Sequence, residues 1–142
     1  MDSDSHSYSQ IKEIFQLKNI AVVGLSKKEE TPSHQVSKYL IEHGYNIIPV
    51  NPTVSEVLGR KCYPNVAAIN ERIDVVDVFR KSEDIPAVIE DVFKKKDGTK
   101  VFWMQLGIHN EDAERKAKEN GIDVVYNRCM MVEHERLFDD EE

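Results

Sequence analysis

Apolar and polar positions alternate in blocks along this chain, not residue by residue. Five short runs are almost continuously apolar: "NIAVVGLS" (19–26), "YNIIPVNP" (45–52), "IDVVDVFR" (73–80), "TKVFWMQLG" (99–107) and "IDVVYN" (122–127). Such runs read as strands buried on both faces. The segments between them carry helical spacing. Ile11, Ile14, Phe15 and Leu17 share one face of a short helix with Ser9 as its N-cap. A second helix starts at Thr31 or Ser33, with Pro32 in its first turn, and runs to His43, where Gly44 ends it. "SEDIPAVIEDVFKKKDG" is a third helix, capped by Ser82 and with Lys94–Lys96 near its end. "HNEDAERKAKENG" is a fourth, with only Ala113 and Ala117 to cover a sheet. Strands alternating with helices predict an α/β fold, a parallel sheet of about five strands with helices on both faces.

The remaining stretches are read more coarsely. "TVSEVLGRKCYPNVAAI" holds a short helix around Ser55–Leu58, a turn at Gly59, an extended piece at Lys61–Tyr63 and a turn at Pro64. Residues 1–8 are expected to be disordered, 9–134 to form one domain, and 135–142 to be a solvated acidic tail.

Composition narrows the function classes. The chain has 142 residues and a net charge of −7, which opposes nucleic acid and anionic membranes as partners. A phosphate-bearing ligand therefore needs a local basic patch or backbone amides. No apolar run approaches the roughly 20 residues of a membrane span. The polar, acidic N-terminus lacks the features of a signal peptide, so a cytoplasmic location is expected. Cys62 and Cys129 form neither a C-x-x-C pair nor a disulfide framework, and the five histidines are scattered without metal-ligand spacing.

In open parallel sheets, ligands bind beyond the carboxyl ends of the strands. At the first such end, Gly24 permits close backbone approach, Ser26 offers a hydroxyl, and Lys27 and Lys28 supply local positive charge. The same residues also read, with equal weight, as a Gly-Ser turn with solvated lysines. At the second, Val50, Asn51 and Pro52 stand where a dinucleotide-binding domain usually has an acidic residue. They read equally as a proline-stiffened turn or as an apolar ledge for an adenine. Arg60 and Lys61 follow that strand, as surface charges or as phosphate contacts. Arg80 ends the third strand, either paired with Asp77 or Glu83 or facing an anionic ligand. Trp103 reads as core, and His109 as a surface residue.

Together, "IAVVGLS", "GYNIIPVNP", "GRKCYP", "IDVVDVFR", "VFWMQLG" and "VVYNRCMMVEH" resemble the small single-domain CoA-binding proteins, which are similar to the CoA-binding N-terminal domain of the succinyl-CoA synthetase α subunit. The resemblance covers residues 11–134. It implies a Rossmann-like, doubly wound fold with coenzyme A, free or acylated, across the strand ends. Gly24, Ser26 and Lys27 would meet the phosphates, and Val50, Asn51 and Pro52 would border the adenosine. Phe79 and Arg80 would line the cleft, and Gln105 and Gly107 would approach the pantetheine. The chain lacks the synthetase's second domain and phosphorylated-histidine segment, so ligase activity is not implied. The family pattern often has Asp where this chain has Asn127.

Cys129 stands at a strand's carboxyl end beside Arg128, a possible thiolate stabiliser, and near the expected thiol end of the cofactor. Two readings stand behind CoA binding. One is a thiol protein in which Cys129 forms a mixed disulfide with CoA; the other, disfavoured by Asn51, is an NAD(P)-dependent oxidoreductase. Thinly covered helical faces permit a homodimer, and no partner enzyme is specified.

Overall fold

The five apolar runs pair into one parallel sheet in a computed structural model, which describes residues 2–95 and 98–138. In chain order the elements are α1 (Tyr8–Ile14), β1 (Asn19–Val23), α2 (Pro32–Glu42), β2 (Asn46–Val50), β3 (Glu56–Val57), β4 (Arg60–Lys61), β5 (Val75–Val78), α3 (Ile85–Lys94), β6 (Val101–Met104), α4 (Glu111–Glu119), β7 (Asp123–Val125) and α5 (Met130–Phe138). Their order across the sheet is β2-β1-β5-β6-β7. The chain therefore winds outward from β1 to β2, crosses back to β5, and winds outward the other way. The ends of β1 and β5 flank the point where the winding reverses.

Strand residues alternate between two apolar layers, as the period of two requires. Ala21, Val23, Ile48, Val76, Val78, Phe102, Met104 and Val124 face the layer that holds Ile85 and Ile89 of α3 and Ala113 and Ala117 of α4. Ile20, Val22, Ile47, Val75, Val101, Trp103 and Val125 face the layer of α1, α2 and α5. The two alanines of α4 are completely buried, so small side chains suffice where the helix lies close to the sheet. Among the described residues no helix is long and apolar enough to cross a membrane.

Four local expectations change. The N-cap of α1 is Ser7, not Ser9; Ser7 and Gln10 form a reciprocal capping box. The segment around Ser55–Leu58 is not helical. Glu56–Val57 and Arg60–Lys61 form a hairpin, because Leu58 and Gly59 both take positive φ, at 54° and 72°. Ser82 opens a short 3-10 turn, Ser82–Asp84, which leads into α3. Residues 135–138 belong to α5, with Leu137 buried, so the acidic tail does not begin at 135. The remainder of that tail, together with Met1 and Lys96, lies outside the described residues.

The N-terminal segment, expected to be disordered, is instead fastened from residue 2 onward. Its anchor is Asp4, which accepts from Arg128 Nε and Nη2, each at 3.0 Å, and from the Tyr126 amide at 3.0 Å. His6 bridges Asp4 Oδ1 at 2.6 Å and Asp123 Oδ2 at 2.8 Å. Burial disfavours the Asp4 carboxylate, but the bonds from Arg128, Tyr126 and His6 outweigh it and hold the pKa below its ordinary 3.8. Asp4→Ala should lower stability by about 2 kcal/mol in urea unfolding, because it leaves a largely buried guanidinium short of its partner. A depressed folded pKa gives stability that is present above the unfolded value and lost as pH falls through the folded one. The gap between wild type and Asp4→Ala should therefore close in unfolding curves taken below pH 3.8.

Candidate functional site

The loops after β1 and β5 meet at the reversal of winding. Gly24 has φ +86°, and a Cβ built on it would lie 2.5 Å from the Phe79 carbonyl oxygen and 3.2 Å from Arg80 Cδ. The glycine is thus required by contact between two loops of the protein itself. The Gly24 amide donates to Val50 O and the Phe79 amide donates to Val23 O, each at 2.9 Å, so the parallel ladder runs on past the last strand residues.

Asn51 has a similar internal duty. Its Nδ2 donates to Leu25 O at 3.0 Å, and its Oδ1 accepts from the Thr53 amide and hydroxyl at 2.9 and 2.7 Å. An amide provides both roles where a carboxylate would only accept. This ties the loop after β1 to the end of β2. Arg60 is used at the opposite end of β2, where Nη1 donates to Asn46 Oδ1 at 3.1 Å, so it does not stand at the carboxyl edge.

Gly24, Val50, Pro52 and Arg80 line one cleft of about 450 Å³, with Val66 and Val88 supplying further apolar surface. Arg80 is exposed there and makes a loose ion pair with Asp84 at 3.4 Å, not with Asp77 or Glu83. Asp91, on the same wall, accepts from the amides of Val66 and Ala67 at 2.6 and 3.3 Å. Lys27 is not in this cleft. It borders a separate recess of about 380 Å³ with His34, Ser55 and Glu56. Between the two recesses lies the loop from Gly24 to Thr31. The Ser26 amide donates to Ser33 Oγ at 3.0 Å, and Ser26 Oγ accepts from the Lys28 amide at 3.1 Å. Ser33 therefore braces the loop and does not cap α2; Thr31 holds the cap position without a side-chain bond to the helix.

At the other end of the edge, Asp77 is fully buried in β5. Gln105 Nε2 donates to its Oδ1 at 2.5 Å, while Oδ2 has no partner among the described residues. Burial outweighs the Gln105 bond and pushes this carboxyl up to about 7. Asn127 takes φ +55° and clasps the neighbouring loop, its Oδ1 accepting from the Gly107 amide at 2.6 Å. Asn tolerates the left-handed region better than most residues. Cys129 precedes α5 and is half-buried. Burial raises its thiol pKa even though Sγ accepts from the Val132 and Met131 amides, which act the other way.

Arg128 does not serve that thiol. Its guanidinium is held by Asp4 and, at 3.3 Å, by Glu133. Trp103 is core, fully buried with Nε1 donating to Arg128 O at 2.8 Å. His109 is more than a surface residue: its ring stacks on Tyr126 with centroids 3.6 Å apart, and Nε2 lies 2.7 Å from Glu114 Oε1. Cys62 is buried, and burial raises its pKa, outweighing the opposing backbone effect of Asn51. Phe79 packs partly against the α1, α2 and α5 layer.

The expected residues therefore fall into three groups along one edge. Gly24, Val50, Pro52 and Arg80 share the cleft; Ser26 and Lys27 sit in the loop beside it. Gln105, Gly107 and Cys129 occupy the far end. Asp77 was missed, because a charged residue inside "VVDVF" gives no periodic signal of its own. Its position in an otherwise apolar strand was the available clue. Helix α5 was missed as well, although Met130, Glu133, His134 and Leu137 recur at helical spacing.

A doubly wound parallel sheet with its loops gathered at the reversal point is a Rossmann-like domain. The chain belongs to the CoA binding domain family, whose model matches residues 18–135. It is 47% identical to YneT, an uncharacterized protein of Bacillus subtilis, across 90% of this chain and 94% of that one. A hypothetical protein from Pyrococcus horikoshii OT3 superposes with a TM-score of 0.89 at 47% identity, covering 94% and 93% of the two chains. The ADP-forming acetate–CoA ligase of Methanocaldococcus jannaschii is 30% identical over 78% of this chain, which spans only 16% of the ligase.

Two outcomes follow from this geometry. Gly24→Ala should destabilise the fold by more than the roughly 1–2 kcal/mol of a left-handed non-glycine residue, because a backbone carbonyl must also move; thermal unfolding reads it. Asp77 has a folded pKa of about 7 against an ordinary 3.8, so the folded state holds the extra proton between those values. Stability from this group should fall as pH rises across that window, by a few kcal/mol, and then level off. Asp77→Asn should lack that slope in urea unfolding measured from pH 4 to pH 8.

Proposed function

We propose that the chain binds coenzyme A along the carboxyl edge of its sheet, across the reversal between β1 and β5. The observation that carries this reading is the cleft shared by Gly24, Val50, Pro52 and Arg80, at the position where doubly wound sheets take their ligands. Val50 and Pro52 offer an apolar ledge for the adenine. The end of β2 carries no carboxylate to repel a phosphate on the ribose. Lys27 and Lys28, with the first turn of α2, offer positive charge to the diphosphate. The pantetheine runs from there past Phe79 towards Gln105 and Gly107, with its sulfur end near Cys129. Membership of a CoA-binding family supports the ligand class, as does likeness to part of an acetate–CoA ligase.

The role is binding; no residue here is assigned to catalysis. An oxidoreductase using NAD(P) is disfavoured, because Asn51 is committed to Leu25 and Thr53 and the end of β2 carries no acid for a ribose hydroxyl. Isothermal titration should show CoA binding, with dephospho-CoA weaker by about tenfold for the loss of one charge-assisted contact. Replacing both Lys27 and Lys28 by Ala should weaken CoA and flatten its salt dependence. NAD binding as tightly as CoA, or no heat with CoA, would count decisively against the reading.

A further inference from the structure

His34 stands in the first turn of α2 and is buried, only 8% exposed, although the loop before it is open to solvent. Its Nδ1 lies 2.9 Å from the Ser26 carbonyl oxygen. A carbonyl oxygen only accepts, so Nδ1 carries the hydrogen, and in the neutral ring the lone pair is on Nε2. Among the described residues Nε2 has no partner. The ring borders the recess of about 380 Å³ on the far side of the loop after β1, together with Lys27, Ser55, Glu56, Val57 and Leu58. Ser26 thus fixes the ring from behind, and Nε2 is the polar atom it offers to the recess.

The rest of the lining suits an anion attached to an apolar group. Lys27 is exposed and carries no ion pair among the described residues. Thr31 makes no side-chain bond to α2, so the first turn of this 11-residue helix is uncapped and its positive end is available. Glu56 is the one carboxylate of the lining, and it stands opposite Lys61 in the hairpin register. Val57 and Leu58 supply apolar surface. Leu58 holds φ +54°, where a two-residue hairpin turn ordinarily carries Asn, Asp or Gly. The leucine is therefore kept against the preference of its backbone.

We propose that this recess is a binding site for a phosphate monoester, with His34 Nε2 and Lys27 Nζ as its polar contacts and Val57 and Leu58 against the esterified group. The site is defined by the recess itself and does not rest on the CoA-binding reading. A monoester fits because its second ionisation falls near about pH 6. Around neutrality it offers a proton to the open Nε2 or takes one from it, so the hydrogen bond forms with the ring in either state. A phosphodiester, or the bridging diphosphate of a cofactor, has no such proton to share. Lys27 adds a charge-assisted contact. Two sources present this chemistry: the ribose phosphate of a bound CoA, or a small free phosphate ester. Lys28 is not a wall of the recess and stays for the diphosphate.

Side-chain proton–nitrogen NMR of the labelled full chain tests the site, with inorganic phosphate as the probe and sodium chloride at matched ionic strength as the control. The His34 Nε2 resonance should shift saturably with phosphate while Nδ1 keeps its hydrogen, and His43 and His109 should not follow. His34→Gln assigns the resonance. Lys27→Ala, a change at an exposed side chain, should weaken phosphate by about tenfold. No saturable shift at His34, the same shift in sodium chloride, or unchanged affinity in Lys27→Ala would each overturn the proposal. CoA and dephospho-CoA added to the phosphate-loaded protein then identify the source. Release of phosphate by CoA alone assigns the ribose phosphate, and release by neither assigns a separate ester; both uphold the site. Equal release by the two would place the diphosphate there and refute the monoester assignment. Calorimetry without heat for CoA refutes the CoA-binding reading and leaves the response of His34 to phosphate as it is.

Discussion

The approach of Gly24 to the Phe79 carbonyl governs the carboxyl edge of this molecule. Two loops that leave neighbouring strands in opposite directions of winding must diverge, and the space between them becomes a crevice. Here they touch before they diverge. With 2.5 Å between a hypothetical Cβ and a backbone oxygen, no other residue fits without moving β1 or β5. Everything beyond that contact depends on it: the direction of Arg80, the depth of the cleft beneath Val50 and Pro52, and the place where α2 begins.

Once the loops are placed, single polar side chains hold them there. Asn51 ties the loop after β1 to β2, Ser33 braces that loop from α2, and Asn127 joins the loops after β6 and β7. Each bond is worth only about 1 kcal/mol net. Their effect is geometric, because each joins segments that the sheet alone leaves free to splay. Residues that resemble ligand contacts in a one-dimensional reading are thus partly the framework of the crevice. Asn51 shows this most clearly, since both ends of its amide are committed to the protein.

The sheet was legible because buried parallel strands are written as continuous apolar runs, each closed by its own turn. Gly24, Val50, Pro52 and Arg80 were legible as neighbours because strand ends in a parallel sheet must share an edge. The Asp4–Arg128 pair was not, since the partners are 124 residues apart and nothing local marks either one. The same bond removed Arg128 from the role its place beside Cys129 had implied. Adjacent side chains in an irregular segment need not point the same way. The hairpin at Glu56–Lys61 was obscured for a different reason: Leu58 takes a positive φ that its side chain disfavours, so composition pointed to a helical turn.

The charge of the chain looks unfavourable for an anionic ligand, but distance decides the matter. The net charge is −7, yet at physiological salt the Debye length is about 8 Å, so exposed carboxylates across the molecule are largely screened from the edge. The local inventory matters more. On α4, Arg115, Lys116 and Lys118 are paired with Asp112, Glu90, Glu114 and Glu119. Arg72 is paired with Asp74, and Arg128 with Asp4. Lys27 and Lys28 differ: among the described residues they are exposed and carry no ion pair, on the loop that leads into α2. An acidic protein can therefore present exposed, unpaired lysines on the loop after β1.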